Sequence, residues 1–308
     1  MQHLLPNSKP AHFAYSLLIL LLLPLASRAQ GYAEGISLSY ERLPLQLETP
    51  DKPFFYADVY RASAIVPVAQ AADSSHSFLA GAGLELLRFA GNRPGFGVGT
   101  VYGLSPIVGY RRRLNERLEL TALALPALNS DLREVLGADI TWGGVVRAAY
   151  RSNARRAYRL TVGYRQQFYG PQYVLLLGLD WQLGQRWRAF GDLPTSFTLS
   201  YAMAPRTNVG FNLTGINTAY RLQAADQYLQ YQQGHYGLFA ENYLSAHWVL
   251  RATAAYAVTR RIELYARDQQ WPGTIDYIGL GMAPKSTSPD VAKGWAFKIG
   301  LSYRVPVK

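Results

Sequence analysis

From residue 30 onward, apolar and polar positions alternate with a period of two in segment after segment, and no helical run separates them. The last segment is the clearest. In Gly294–Val305, the residues Trp295, Phe297, Ile299, Leu301, Tyr303 and Val305 share one parity, and Gly294, Ala296, Lys298, Gly300, Ser302 and Arg304 share the other. Alternate side chains of a strand point to opposite faces, so this segment has one apolar face and one small or cationic face. The same pattern runs through Gly31–Glu41, Phe78–Leu86, Ile140–Tyr150, Tyr158–Arg165 and Tyr173–Leu183. It is weaker in Phe54–Val68. Further strands are predicted at Val98–Arg112, Arg117–Ala127, Trp187–Phe190, Phe197–Met203, Asn208–Leu222, Tyr236–Leu244 and His247–Tyr265.

The connections alternate in length. Tight turns fall near 113–116, 152–155, 184–186, 204–206 and 245–246, and longer loops near 44–53, 90–97, 128–137, 222–235 and 266–290. Several segments reach the length at which a tilted strand crosses an outer membrane, about 9–11 residues. Short turns on the periplasmic side and long loops outside are the habit of bacterial barrels. The predicted fold is therefore all-β: a transmembrane antiparallel up-and-down β-barrel with both termini in the periplasm. Keeping that parity requires 14 strands, or 12 if a weak pair around Asp192-Leu193-Pro194 does not span. A soluble β-sandwich shows the same alternation. Large tyrosine, tryptophan and leucine side chains on the apolar faces favour lipid instead, where only a closed sheet pairs every backbone group. Trp187 and Trp248 follow tight turns directly, where an aromatic belt would lie.

Composition supports this choice. Hydrophobic residues make up 49% and charged residues only 17%, with 22 tyrosines and no cysteine. Stability must then come from packing or sheet closure, because no disulfide can form. Residues 1–29 read as a cleaved signal peptide, with His3 and Lys9 ahead of an apolar core from Phe13 to Ala26 and small residues in Ser27-Arg28-Ala29. This leaves 30–308 as the barrel, destined for the outer membrane. Cleavage removes Lys9 and Arg28 and no acid, taking the net charge from +11 to +9.

The excess of base has two destinations. Nucleic acid is excluded as a partner by export and by arginines spread singly along strands. Lipopolysaccharide phosphates outside, or a small anionic solute inside, fit better. By parity the lumen receives Arg111, Arg147, Arg159, Arg165, Arg251, Arg261, Lys298 and Arg304, against Glu85, Glu119, Asp180 and Glu263. On the lipid face each cation would cost about 2–4 kcal/mol at the midplane. Two arrangements follow: a cation-lined pore or pocket favouring anions, or a network of arginine–carboxylate pairs that fills the lumen.

Catalytic inventory is thin. The mature chain holds only His76, His235 and His247, none with a second histidine at ligand spacing, so no metal or cofactor is expected. His235 near Asp226 is the sole support for a hydrolase, and the expectation is a barrel that is not an enzyme. Gly95-Phe-Gly-Val-Gly99 lacks the lysine and helix of a phosphate loop.

Lys298-x-Gly300-x-x-Tyr303-x-Val305 resembles the C-terminal signal read by the outer-membrane assembly machinery, although the chain runs on through Pro306-Val307-Lys308. That resemblance implies assembly roles for Gly300, Tyr303 and Val305. The mature chain also resembles a family of outer-membrane β-barrels with no assigned function. The residues that carry this are Leu125-Pro126 with Asn129-Ser130-Asp131, the run Gly178-Leu-Asp180, Trp187 and Asp192-Leu-Pro194, and Tyr256 with Arg261-Ile-Glu-Leu-Tyr265. The family brings a fold and no activity.

Overall fold

In a computed structural model, the protein is described over residues 32–306, apart from 72, 74, 93–95, 224 and 225. The signal peptide expected at 1–29 lies outside the described residues. The strands are β1 (Tyr32–Gln46), β2 (Phe54–Gln70), β3 (His76–Gly91), β4 (Thr100–Arg113), β5 (Leu118–Ala124), β6 (Ala127–Ser130), β7 (Ile140–Thr141), β8 (Gly143–Asn153) and β9 (Arg156–Gln167). They continue with β10 (Gly170–Gln182), β11 (Trp187–Leu193), β12 (Ser196–Ala204), β13 (Thr207–Leu222), β14 (Gln227–Tyr243), β15 (Trp248–Ala266), β16 (Gly273–Ile275), β17 (Ile278–Leu280) and β18 (Trp295–Pro306). β5 and β6 form one wall strand interrupted at Leu125-Pro126, and β7 and β8 form another. β16 and β17 are a small hairpin inside the last long loop. Fourteen strands therefore make the wall, each antiparallel to its neighbours, and β18 closes it by pairing with both β1 and β15. The fourteen-strand expectation is borne out.

The outer surface shows why lipid is the solvent. Tyr102 and Tyr110, Trp142 and Tyr150, Tyr173 and Trp181, Trp248 and Tyr256, and Trp295 and Tyr303 all share the outward parity of their strands, each pair eight residues apart. That spacing is about 27 Å along a strand and roughly 21 Å along the barrel axis at a tilt of about 40°. Two aromatic girdles thus bound an apolar band that includes Leu84, Val108, Leu160, Leu177 and Leu238, all solvent-accessible in the isolated chain. Tight turns close the lower rim; at one of them Gly184 holds φ +108°, a conformation that suits glycine.

The wall is not uniform. β11 and β12 are short, and their ladder to the neighbours ends at Leu177 on β10 and Thr214 on β13. The turn at Leu193-Pro194-Thr195 therefore lies part-way up the band. This answers the question of the weak pair: both strands belong to the wall, and neither reaches the outer rim. Above them the loop after β15 takes their place. β16 pairs in parallel with β10, matching Gln172 with Thr274 and Tyr173 with Ile275. The pleat carries across, since Gln172 and Thr274 are buried while Tyr173 and Ile275 face outward. Tyr277 of the same strap lies over Gly215, where any Cβ would collide with its ring. A leucine in place of Gly215 is expected to expel the strap, detectable as faster amide exchange across 271–280.

A second departure concerns the loop expected at 222–235. Most of it is strand: β14 runs from Gln227 and pairs with β13 as far as Leu222 and with β15 as far as Ala266. Beyond Tyr256, β15 leaves β18, and the outer parts of β13, β14 and β15 bend into the barrel mouth as a three-stranded flap. One flap face sets Tyr220, Leu222, Leu229, Tyr231, Ile262 and Leu264 against Leu43, Leu45, Phe55, Val59, Leu87 and Phe89 on the inner wall. The opposite face sets Ala219, Tyr228 and Tyr265 against Tyr169 and Trp271. An apolar core thus fills the outer part of the lumen.

A luminal cavity beneath an occluding flap

Where β15 departs from the wall it loses its ladder, and one side chain replaces it. Arg260 donates to the carbonyls of Pro44 (3.1 Å), Ala292 (3.2 Å), Gly294 (3.2 Å) and Trp295 (3.0 Å). The planar guanidinium fork reaches four acceptors, which a lysine ammonium on one stem cannot match. Arg260→Ala is therefore expected to raise protease sensitivity within 257–266, and Arg260→Lys to restore only part of the protection. Equal cleavage of all three proteins would contradict this anchoring role.

Beneath the apolar core a polar layer ties flap to wall. Arg61 on β2 donates to Glu41 (2.8 Å) and to Glu85, and its remaining nitrogen lies 3.5 Å from the Tyr231 hydroxyl. Tyr220 also donates to Glu85. His235, at the bulge where the flap begins, places Nδ1 3.6 Å from Glu41 and its other nitrogen against Gln233. It bonds no serine hydroxyl among the described residues. Asp226 is remote from this layer, exposed and beside Arg267 (3.6 Å). The pairing that would support a hydrolase is not assembled.

Below that layer lies a cavity of about 510 Å³. Gly215, Asn217 and Thr218 of the flap roof it, Asp276 and Tyr277 of the strap close one side, and Ser37, Ser39, Ser63 and Ser105 line the other. Three cations reach it: Arg61, Arg165 and Lys298. Arg61 is matched by its two glutamates. Arg165 and Lys298 form no salt bridge among the described residues, and Lys298 is exposed to the lumen.

The other expected lumen residues sort by height. Lower in the barrel, Arg147 (3.4 Å) and Arg159 (2.9 Å) share Asp192, and Asp180 pairs with Arg188 (2.7 Å). Arg304 (3.0 Å) and Arg251 (4.0 Å) converge on Glu241, and Arg111 bonds Ser77 (3.0 Å). Glu119 opposes Arg113 across β4 and β5 on the same inward face. Arg261 and Glu263 are a correction. They lie on the flap, 3.6 Å apart, and Arg261 stacks at 5.6 Å on Trp271 of the strap rather than lining the wall. The bulge between Gly234 and His235 against β15 separates them from the parity of Arg251. Glu41, Arg61 and Asp192 were not among the candidates, although Glu41 and Arg61 carry the inward parity that selected the others.

A closed antiparallel wall, an apolar girdle-bounded exterior and a charged interior define a transmembrane β-barrel protein. Its sequence matches the family described as Domain of unknown function (DUF6268) over residues 100–272, from the start of β4 into the strap. The chain belongs to that family. Among curated proteins none matches it. Solved structures with a similar course include an outer-membrane channel from Pseudomonas putida F1, at 10% identity and TM-score 0.44, covering 92% of this chain and all of that one. The P. putida toluene transporter TodX aligns at 10% identity and TM-score 0.42, covering 89% and 91% of the two chains. The Ralstonia pickettii toluene transporter TbuX gives 10% and 0.40, covering 88% and 90%. Likeness at this level is no guide to what the present chain carries.

Proposed function

We propose that this is an outer-membrane barrel that takes a small anionic solute into its mid-lumen cavity, with the flap closing the outer mouth. The observation that carries this is that Arg165 and Lys298, on opposite walls of the cavity, form no salt bridge among the described residues. A cation facing a confined polar cavity is stabilised by water or by a bound anion. Export by the 1–29 signal and insertion through the Lys298–Val305 pattern by the assembly machinery belong to the same proposal. No step of it requires a catalytic group.

The test is the reversal potential of flap-trimmed channels in a planar bilayer under a potassium chloride gradient. Chloride preference is expected, falling toward zero in Arg165→Gln/Lys298→Gln. Cation preference, or no difference between the two, would refute the assignment. A second reading, a structural barrel with a filled lumen, is favoured by the carboxylate partners of Arg147, Arg159, Arg188, Arg251 and Arg304. It predicts that trimming the flap opens nothing.

A further inference from the structure

The lipid-facing wall carries a second concavity, on the opposite side of the sheet from the luminal site. It is a trough of about 720 Å³ running across β15, β18, β1, β2, β3 and β4. Strand register explains its shape. One row of outward side chains is Leu301, Leu38, Ala62, Leu84 and Leu104, and the next row up is Ile299, Tyr40, Tyr60, Leu86 and Tyr102. Between them the floor is main chain. Ala62 removes bulk from the lower row, and the Tyr40 and Tyr60 rings, 5.0 Å apart, overhang it from above. At about 4.8 Å per strand the trough extends some 24 Å, the reach of an extended acyl chain.

The row immediately above is charged, although it too faces outward. Arg42, Asp58 and Arg88 are register neighbours on β1, β2 and β3. Arg42 grips Asp58 with two hydrogen bonds (2.8 and 3.1 Å), and the Tyr40 hydroxyl adds a third (2.7 Å). Arg88 is exposed and makes no hydrogen bond or ion pair among the described residues. Arginine on a lipid-facing strand costs several kcal/mol at the midplane but roughly 0–1 near the interface. The row therefore marks the outer headgroup level, with one net positive charge on the lip of an apolar trough.

We propose that the trough is a binding site for one acyl chain of a phosphorylated outer-leaflet glycolipid, whose phosphate meets Arg88 and the exposed side of Arg42. Charge complementarity selects the headgroup, and the carbon-lined trough below selects the chain. The site is independent of any luminal solute.

Native mass spectrometry of the full-length folded barrel, released from detergent after incubation with a hexa-acyl bisphosphorylated glucosamine disaccharide lipid, tests this directly. Single-lipid retention is expected for the native chain. Retention should fall about fivefold in Arg88→Gln, the equivalent of about 1 kcal/mol for one arginine near an anionic surface. A similar fall is expected when the dephosphorylated lipid replaces the bisphosphorylated one. Leu84→Trp, which fills the trough, should reduce retention of both lipids. Arg42→Gln/Asp58→Asn keeps the local charge balance and removes the guanidinium, and should weaken only the phosphorylated lipid. Heat-modifiable migration confirms that each variant is folded. Equal retention of the two lipids by the native chain, or retention unaffected by Arg88→Gln and Leu84→Trp, would overturn the assignment.

Discussion

Cutting β13 and β14 back, so that Thr214 turns directly into His235, is expected to convert a barrel with a closed outer mouth into one that conducts steadily in a planar bilayer. The ladder from Thr207–Thr214 to His235–Asn242 survives this cut, and the trimmed residues lie outside the girdle-bounded band, so insertion should persist. What is lost is most of the flap's share of the apolar core that fills the mouth: Tyr220, Leu222, Leu229 and Tyr231. The wall residues beneath it, Leu43, Leu45 and Phe55 among them, become wet, and thermal stability should drop with their exposure. A milder variant isolates the cause. Tyr231 is fully buried, and replacing a buried aromatic by alanine costs about 3–5 kcal/mol. Tyr231→Ala should therefore give brief openings where the native barrel gives none. A trimmed barrel, shown to be folded by heat-modifiable migration, that conducts no better than the native one would remove the flap from the account.

The second large effect is at the closing strand. Ile299 lies midway between Trp295 and Tyr303 and faces lipid, whereas Lys298 beside it faces the cavity. Arginine at Ile299 adds about 2–4 kcal/mol at the band's centre, a large share of the stability of an ordinary domain. Loss of folded protein from the outer-membrane fraction is expected. Tyr303→Asp should act the same way, since Tyr303 packs its ring on Trp248 (5.3 Å) and His247 (5.2 Å) in the lower girdle. Lys298→Gln, one residue from Ile299, should assemble at near-native levels. Comparable losses at Ile299 and Lys298 would mean that the two faces are not in different solvents.

Most of the wall was legible in the sequence because lipid and lumen impose opposite demands on alternate residues. Where that contrast fails, so does the pattern. β2 alternates weakly at Phe54–Val68 because both faces of its outer half are covered: Tyr56 and Tyr60 look outward, while Phe55, Ala57 and Val59 pack under the flap. At 42–47 the alternation reverses. Arg42, Pro44 and Gln46 face out at headgroup level and Leu43, Leu45 and Leu47 face in, so a continuing strand reads as the loop expected at 44–53. The glutamines of 227–233 hide another strand, since Gln230 and Gln232 are buried by bonding Asn217 and the Tyr277 carbonyl, contacts that no local spacing announces. Among the site residues, parity brings Arg165 and Lys298 to the cavity because their strands run straight. It misplaced Arg261 and Glu263 because a bulge and an inward bend separate them from the wall. Partners set by distant strands, such as Asp192 for Arg147 and Arg159, are visible only once the barrel is closed.

The absence of cysteine makes one measurement especially direct. Single cysteines placed along β18 and the outer half of β1 can each carry a fluorophore in bilayers of brominated lipid. Quenching is predicted at Phe297, Ile299 and Leu301 and not at Lys298, Gly300 or Ser302, while cysteines at Leu43 and Leu45 should resist both lipid quenching and labelling by a water-soluble maleimide. Quenching at both parities of β18, or ready aqueous labelling at Leu43 and Leu45, would contradict a lipid-facing wall whose mouth is filled by its own flap.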